Sequence, residues 1–141
     1  MFTNAITLSI DAPVDAVFRF MTDASRWTEW MKDVQAVHSN GEFAVGSTVQ
    51  MDYTEGVSTS LQVTVLEPSR RYAYEVKGDD MSIKGVMDFA SQGSGTALSY
   101  TEEVELTSFF TRMMQPFVAK SVKKALTTDF AAAKEIVEAE S

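Results

Sequence analysis

Glu102 is the residue whose position points most directly to chemistry. Along Leu98–Val104 the alternate positions Leu98, Tyr100 and Val104 are apolar or aromatic, and Glu102 falls in step with them, which turns its carboxyl group inward. Desolvation disfavours a charged carboxylate, so an inward Glu102 gains the capacity to protonate or deprotonate a ketone-bearing molecule. A structural reading competes: near a strand end, Glu102 would be partly solvated or paired with a Lys or Arg. No nucleophile–base pair accompanies it. His38 is the only imidazole and Cys is absent, which removes disulfides, thiolate nucleophiles and any transition-metal centre of usual geometry. A Ser/His/Asp triad would need His38, which adjoins a turn, and there is no Gly-x-Ser-x-Gly elbow. Gly93-Ser94-Gly95 links two strands, so it is not a phosphate cradle, and Asp79-Asp80 reads as a solvated turn. No cofactor and no metal is expected.

Tyr53, Tyr72, Tyr74 and Tyr100 share the inward face with Glu102, each offering an aromatic surface with one hydroxyl. Tyr53 and Tyr100, flanking the inferred centre of the sheet, are the two expected to reach a cavity. Met51, Met87, Met113 and Met114 suit an adaptable wall, although each also suits an ordinary core. Trp27 and Trp30, three residues apart on one short helix, point to the same side and plug the narrow end of the sheet.

The elements that must position these groups follow from periodicity. Thr3–Ile10 alternates, with Ile6, Leu8 and Ile10 on one face. Pro13 opens a short helix to Phe20 with the stripe Val14, Val17, Phe18 and Met21, and Asp23 caps a second helix through Arg26 to Trp30. Val34–His38 alternates and ends in the turn Ser39-Asn40-Gly41. Between Thr48 and Leu106, turns at Gly56, Pro68-Ser69, Gly78-Asp79-Asp80 and Gln92-Gly93-Ser94-Gly95 separate four or five strands. None of these gaps could hold a crossover helix, so the strands form an antiparallel meander. In phase, Leu61, Val63 and Val65 share a face, as do Met81, Ile83, Met87 and Phe89. Spacings of three and four from Met114 through Phe117, Val118, Val122, Leu126 and Phe130 to Val137 mark an amphipathic helix that packs on the sheet. Pro116 breaks that pattern, which makes Ser108–Gln115 a separate turn of helix and starts the main helix near Pro116, running to Ala139. Its preceding Phe109 and Phe110 read as an exposed gate.

With 141 residues and 45% hydrophobic composition, the chain suffices for one domain with its own core. A net charge of −8 opposes a nucleic-acid partner, because phosphate neutralisation requires clustered Lys and Arg. The start lacks the basic and apolar regions of a signal peptide, and no stretch reaches the roughly 20 apolar residues a membrane span needs, so stable membrane insertion is not expected and cytoplasmic is the expected location.

Four stretches then carry a resemblance: Ile10-Asp11-Ala12-Pro13-Val14-Asp15-Ala16-Val17-Phe18, Trp27-Thr28-Glu29-Trp30, Leu66-Glu67-Pro68-Ser69-Arg70-Arg71-Tyr72-Ala73-Tyr74 and Gly93-Ser94-Gly95-Thr96-Ala97-Leu98-Ser99-Tyr100-Thr101. In these the chain resembles the SRPBCC superfamily, also called START-like or helix-grip proteins, and within it the bacterial polyketide cyclase/dehydrase-like and lipid-transport-like group. The resemblance implies an α+β helix-grip fold over residues 1–141: a curved antiparallel sheet of about seven strands around a long C-terminal helix, with two short helices after the first strand.

It further implies an apolar ligand lodged between sheet and C-terminal helix. The expected pocket then draws Trp30 from the second helix, Met51, Tyr53 and Val63 from the first meander strands, and Tyr72, Tyr74, Met87 and Phe89 from the next. Tyr100 and Glu102 come from the last strand, and Met114, Phe117 and Val118 from the C-terminal helix. The expected function is binding or carriage of a hydrophobic or amphipathic small molecule, lipid, isoprenoid or polyketide-like, by a monomer or weak homodimer. Two rivals stand beside it: a polyketide cyclase/aromatase or dehydratase using Glu102 as acid/base, and a protein-interaction module of the chaperone-activating type. The family supplies no universal catalytic motif, so no catalytic residue transfers.

Overall fold

Alternation along the chain builds seven strands, and two-residue and Gly-containing turns connect most of them. The structure, a computed structural model that describes residues 1–141, places β1 (Phe2–Ile10), α1 (Val14–Met21) and α2 (Trp27–Trp30) ahead of β2 (Val34–Ser39). The meander continues through β3 (Thr48–Tyr53), β4 (Ser58–Glu67), β5 (Arg71–Lys77), β6 (Met81–Gln92) and β7 (Gly95–Leu106). Helices α3 (Phe109–Met113) and α4 (Gln115–Ala139) close the chain. All neighbours are antiparallel in the order β1-β7-β6-β5-β4-β3-β2, so β1 covers the edge that β7 would otherwise leave. This is the α+β helix-grip arrangement the sequence implied.

One strand departs from simple alternation. A bulge between Val63 and Val65 shifts the β4–β5 register, so Leu66, and not Val65, packs against the core. The added residue flips the phase of everything after it.

Helix α4 departs more. The apolar stripe predicted packing along its whole length, yet Phe130, Ala133 and Val137 are the residues of α4 that become fully buried, while Phe117 is 70% exposed. Anchoring explains the difference. At its C-terminal end Glu138 accepts from the Asp11 amide, and Glu140 pairs with Arg26, which also binds Glu29 and lies over the Phe20 ring. At its start, α3 and the Pro116 break turn the chain, and the first half of α4 stands off the sheet. The gap it leaves is the cavity described next.

Candidate functional site

A cavity of about 270 Å³ lies between the concave sheet, α2 and the middle of α4. Aromatic side chains supply its frame. Trp27 on α2 meets Phe43 from the β2–β3 loop, Phe43 meets Tyr72, and Tyr72 meets Tyr74; the run continues through Tyr100 and Phe130 back to Trp30 on α2. Successive ring centroids lie between 5.0 and 6.4 Å apart, within the range of favourable edge and offset contacts. All these rings except Phe43 line the cavity. A circuit of stiff side chains, each with few rotamers, keeps such a space open where long aliphatic chains would collapse into it.

One wall is polar. Tyr74 lies beside Gly85 and Gly85 beside Glu102 across three neighbouring strands, and Glu102 lies opposite Asn4 on β1. A side-chain carbon at Gly85 would stand 2.6 Å from Tyr74 Cζ and 2.8 Å from the Tyr100 hydroxyl, so glycine is what lets the two phenols lie across β6. The hydroxyls meet there. Tyr100 donates to Glu102 Oε1 at 2.8 Å, which leaves its oxygen to accept from Tyr74. Asn4 Nδ2 donates to Glu102 Oε2 at 3.0 Å. Every donor in the chain therefore points toward the carboxylate, and burial pushes both phenols well above the ordinary tyrosine range. Glu102 is 5% exposed and its partners are neutral, so the expected Lys or Arg partner is replaced by Asn4 and Tyr100.

The lining also includes Asp129 of α4 and Asp33. Partial burial pushes the Asp129 carboxyl up to about 6, the Lys32 amide that it accepts from at 3.3 Å opposes the shift, and neighbouring Asp33 adds to it. Trp30 Nε1 is buried without a hydrogen-bond partner in the chain, whereas Trp27 Nε1 donates to the Met21 carbonyl at 3.0 Å. No Lys or Arg lines the cavity.

Trp30, Met51, Tyr53, Tyr72, Tyr74, Met87, Tyr100 and Glu102 lie around this space, all four tyrosines among them. The other five expected positions lie elsewhere. Val63 is buried outside it, and Phe89 packs edge-on against Phe18 at 5.1 Å, because α1 covers that end of the sheet. Met114, Phe117 and Val118 precede the stretch of α4 that faces the sheet; Val122, Ala125, Leu126, Asp129 and Phe130 occupy that stretch instead. Asn4 was detectable, since it stands in phase with Ile6 and Leu8 as Glu102 does with Tyr100. His38 is a surface residue paired with Asp52 at 2.8 Å, away from the cavity.

The model of the family described as polyketide cyclase/dehydrase and lipid transport matches residues 1–138. The chain belongs to this SRPBCC family. A search of curated protein sequences finds no match. Among solved structures, one from Thermus thermophilus superposes with a TM-score of 0.82 at 19% identity, over 99% of each chain. The di-domain ARO/CYC StfQ from the steffimycin biosynthetic pathway gives 0.80 at 14% identity, over 98% of this chain and 51% of that one. Ara h 8.0201 gives 0.75 at 11% identity, over 96% of this chain and 97% of that one. At these identities the likeness is one of fold. No helix of this family member is long and apolar enough to cross a membrane.

Proposed function

We propose that the protein binds and carries a hydrophobic or amphipathic small molecule, lipid, isoprenoid or polyketide-like, in the cavity between the sheet, α2 and α4. The observation that carries this reading is the aromatic-framed cavity, with 18 hydrophobic residues among the 21 that line it and a few fixed polar groups. Its volume of about 270 Å³ is near the lower end of ligand sites, roughly 300–1,000 Å³. The charged lining narrows the ligand class. Asp33, Glu102 and Asp129 are the ionisable carboxyl groups at the wall and no cation offsets them, so a carboxylate or phosphate head would be repelled. An ammonium head would lose its hydration in a mostly apolar space, whereas a hydroxyl is less costly to bury and can donate to these carboxyl oxygens. A neutral, hydroxyl-bearing amphiphile fits this lining best.

Titration with N-phenylnaphthylamine, a neutral apolar fluorophore, tests the cavity. Saturable binding that Ala125→Trp abolishes without altering the fold is expected; no binding to the parent protein would overturn the reading.

A polyketide cyclase or dehydratase remains the second reading because Glu102, a buried carboxylate, lines the cavity. Its two oxygens are held by Tyr100 and Asn4, which favours a wall-fixing role over proton transfer. Turnover of a poly-ketone that Glu102→Gln abolishes, with ligand affinity kept, would reverse that preference.

A further inference from the structure

The chain has seven exposed large hydrophobic side chains, and four of them, Phe109, Phe110, Met113 and Phe117, fall between residues 109 and 117. They are 65–79% exposed. The segment presenting them is held in place. Ser108 caps α3 by accepting from the Thr111 amide, Thr111 donates to the Asp80 carbonyl, and Arg112 Nε donates to the Leu106 carbonyl at 3.0 Å. Rigid presentation of three phenylalanines to water costs solubility and stabilises nothing within the chain.

Charge reverses over the same stretch. Residues 107–128 contain Arg112, Lys120, Lys123 and Lys124 and no carboxylate, while the rest of the chain holds eight basic and 20 acidic residues. A chain of net charge −8 thus presents one net positive segment. On α4, Phe117, Lys120 and Lys124 are spaced by three and four and share one exposed face, while Val122 and Leu126 turn toward the cavity.

We propose that this patch docks on an anionic lipid bilayer, with Phe109, Phe110, Met113 and Phe117 entering the acyl boundary and Lys120 and Lys124 at the head groups. A lysine-bearing apolar helix face matches the composition of interfacial helices. The acidic remainder of the surface is repelled by the same bilayer, which makes the docking directional. The exposed phenylalanines need no shaped groove from a fluid bilayer, whereas a folded partner would have to supply one. Docking would bring the α4 wall of the cavity to the membrane, yet it requires no bound ligand and stands apart from the carriage reading.

Co-sedimentation of the full chain with vesicles tests this directly. Each basic side chain near an anionic surface is worth roughly fivefold in binding. Two such lysines, offset by the acidic remainder, predict about tenfold more protein on phosphatidylcholine vesicles that contain phosphatidylglycerol than on phosphatidylcholine alone. Salt of about 1 M, with a screening length near 3 Å, removes the difference. The pairs Phe109→Ser/Phe110→Ser and Lys120→Glu/Lys124→Glu alter exposed side chains and keep the melting temperature; the first lowers binding to both vesicle types and the second abolishes the preference. Equal binding of the parent to the two vesicle types, a preference that survives Lys120→Glu/Lys124→Glu, or undiminished binding of Phe109→Ser/Phe110→Ser overturns the proposal. A dimer that depends on these residues, with no vesicle binding, also overturns it and assigns the patch to a second copy.

Discussion

Replacing Gly85 by Ala tests whether the polar wall is built as described. The new methyl carbon would stand 2.6 Å from Tyr74 Cζ and 2.8 Å from both phenol oxygens, against ordinary contacts of 3.4–4 Å. Something must move: the tyrosine rings are flanked by Tyr72, Phe130 and each other, and the space open to them is the cavity they line. Because the rings can shift toward that cavity, the overpacking cost falls at the low end of the usual range of about 1–3 kcal/mol. Displacing Tyr100 also strips Glu102 of its hydroxyl donor, a charged-group hydrogen bond worth about 1.5–3 kcal/mol. Against these, the lower chain entropy of Ala returns about 0.5–1 kcal/mol. The two costs overlap, so the net loss is about 1–3 kcal/mol, read by urea denaturation at constant m. In a Tyr74→Ala background the loss shrinks by about half, because the nearest obstacle is gone. A Gly85→Ala protein as stable as the parent, or an unchanged cost in the Tyr74→Ala background, would refute the reasoning.

Tyr100→Phe should destabilise by about 2–3 kcal/mol and Tyr74→Phe by about 1 kcal/mol, because Tyr100 serves both Glu102 and Tyr74 while Tyr74 is only the terminal donor; equal losses in denaturation would contradict that order. Asp129 has a folded-state pKa of about 6 against an ordinary 3.8, so its contribution is complete below pH about 4 and is lost as pH rises through 6. The shift corresponds to about 3 kcal/mol, discounted to roughly 1–2 kcal/mol for a half-solvated group. Asp129→Asn, which keeps an acceptor for the Lys32 amide beside Asp33, should therefore gain that much over the parent between pH 4 and 7, and parallel pH profiles would contradict it. In displacement of N-phenylnaphthylamine, decanol should bind about tenfold more tightly than decanoate. Equal decanol and decanoate affinities would remove the neutral-ligand assignment.

The strand order was legible because period-two patterns and short turns leave little choice of topology, and the inward phase of Tyr100 and Glu102 follows from the same rule. What alternation does not carry is position along an element. Phe89 and Met87 share a face, but α1 covers one and the cavity meets the other. Likewise the stripe on α4 assigns a face to Phe117 and Phe130 alike, while the anchors at Glu138 and Glu140 decide that only the later residues reach the sheet. Phe43 joins the aromatic circuit from an irregular loop, where no periodicity marks it. The bulge after Val63 is invisible for a similar reason, since both phases of Val65 and Leu66 are apolar.

Native mass spectrometry of the purified protein, followed by denaturing extraction, tests the carriage reading most directly. A stoichiometric, neutral, hydroxyl-bearing apolar molecule that leaves on denaturation and is missing from the Ala125→Trp protein is the expected result. An empty protein that also fails to take up decanol or N-phenylnaphthylamine would contradict it.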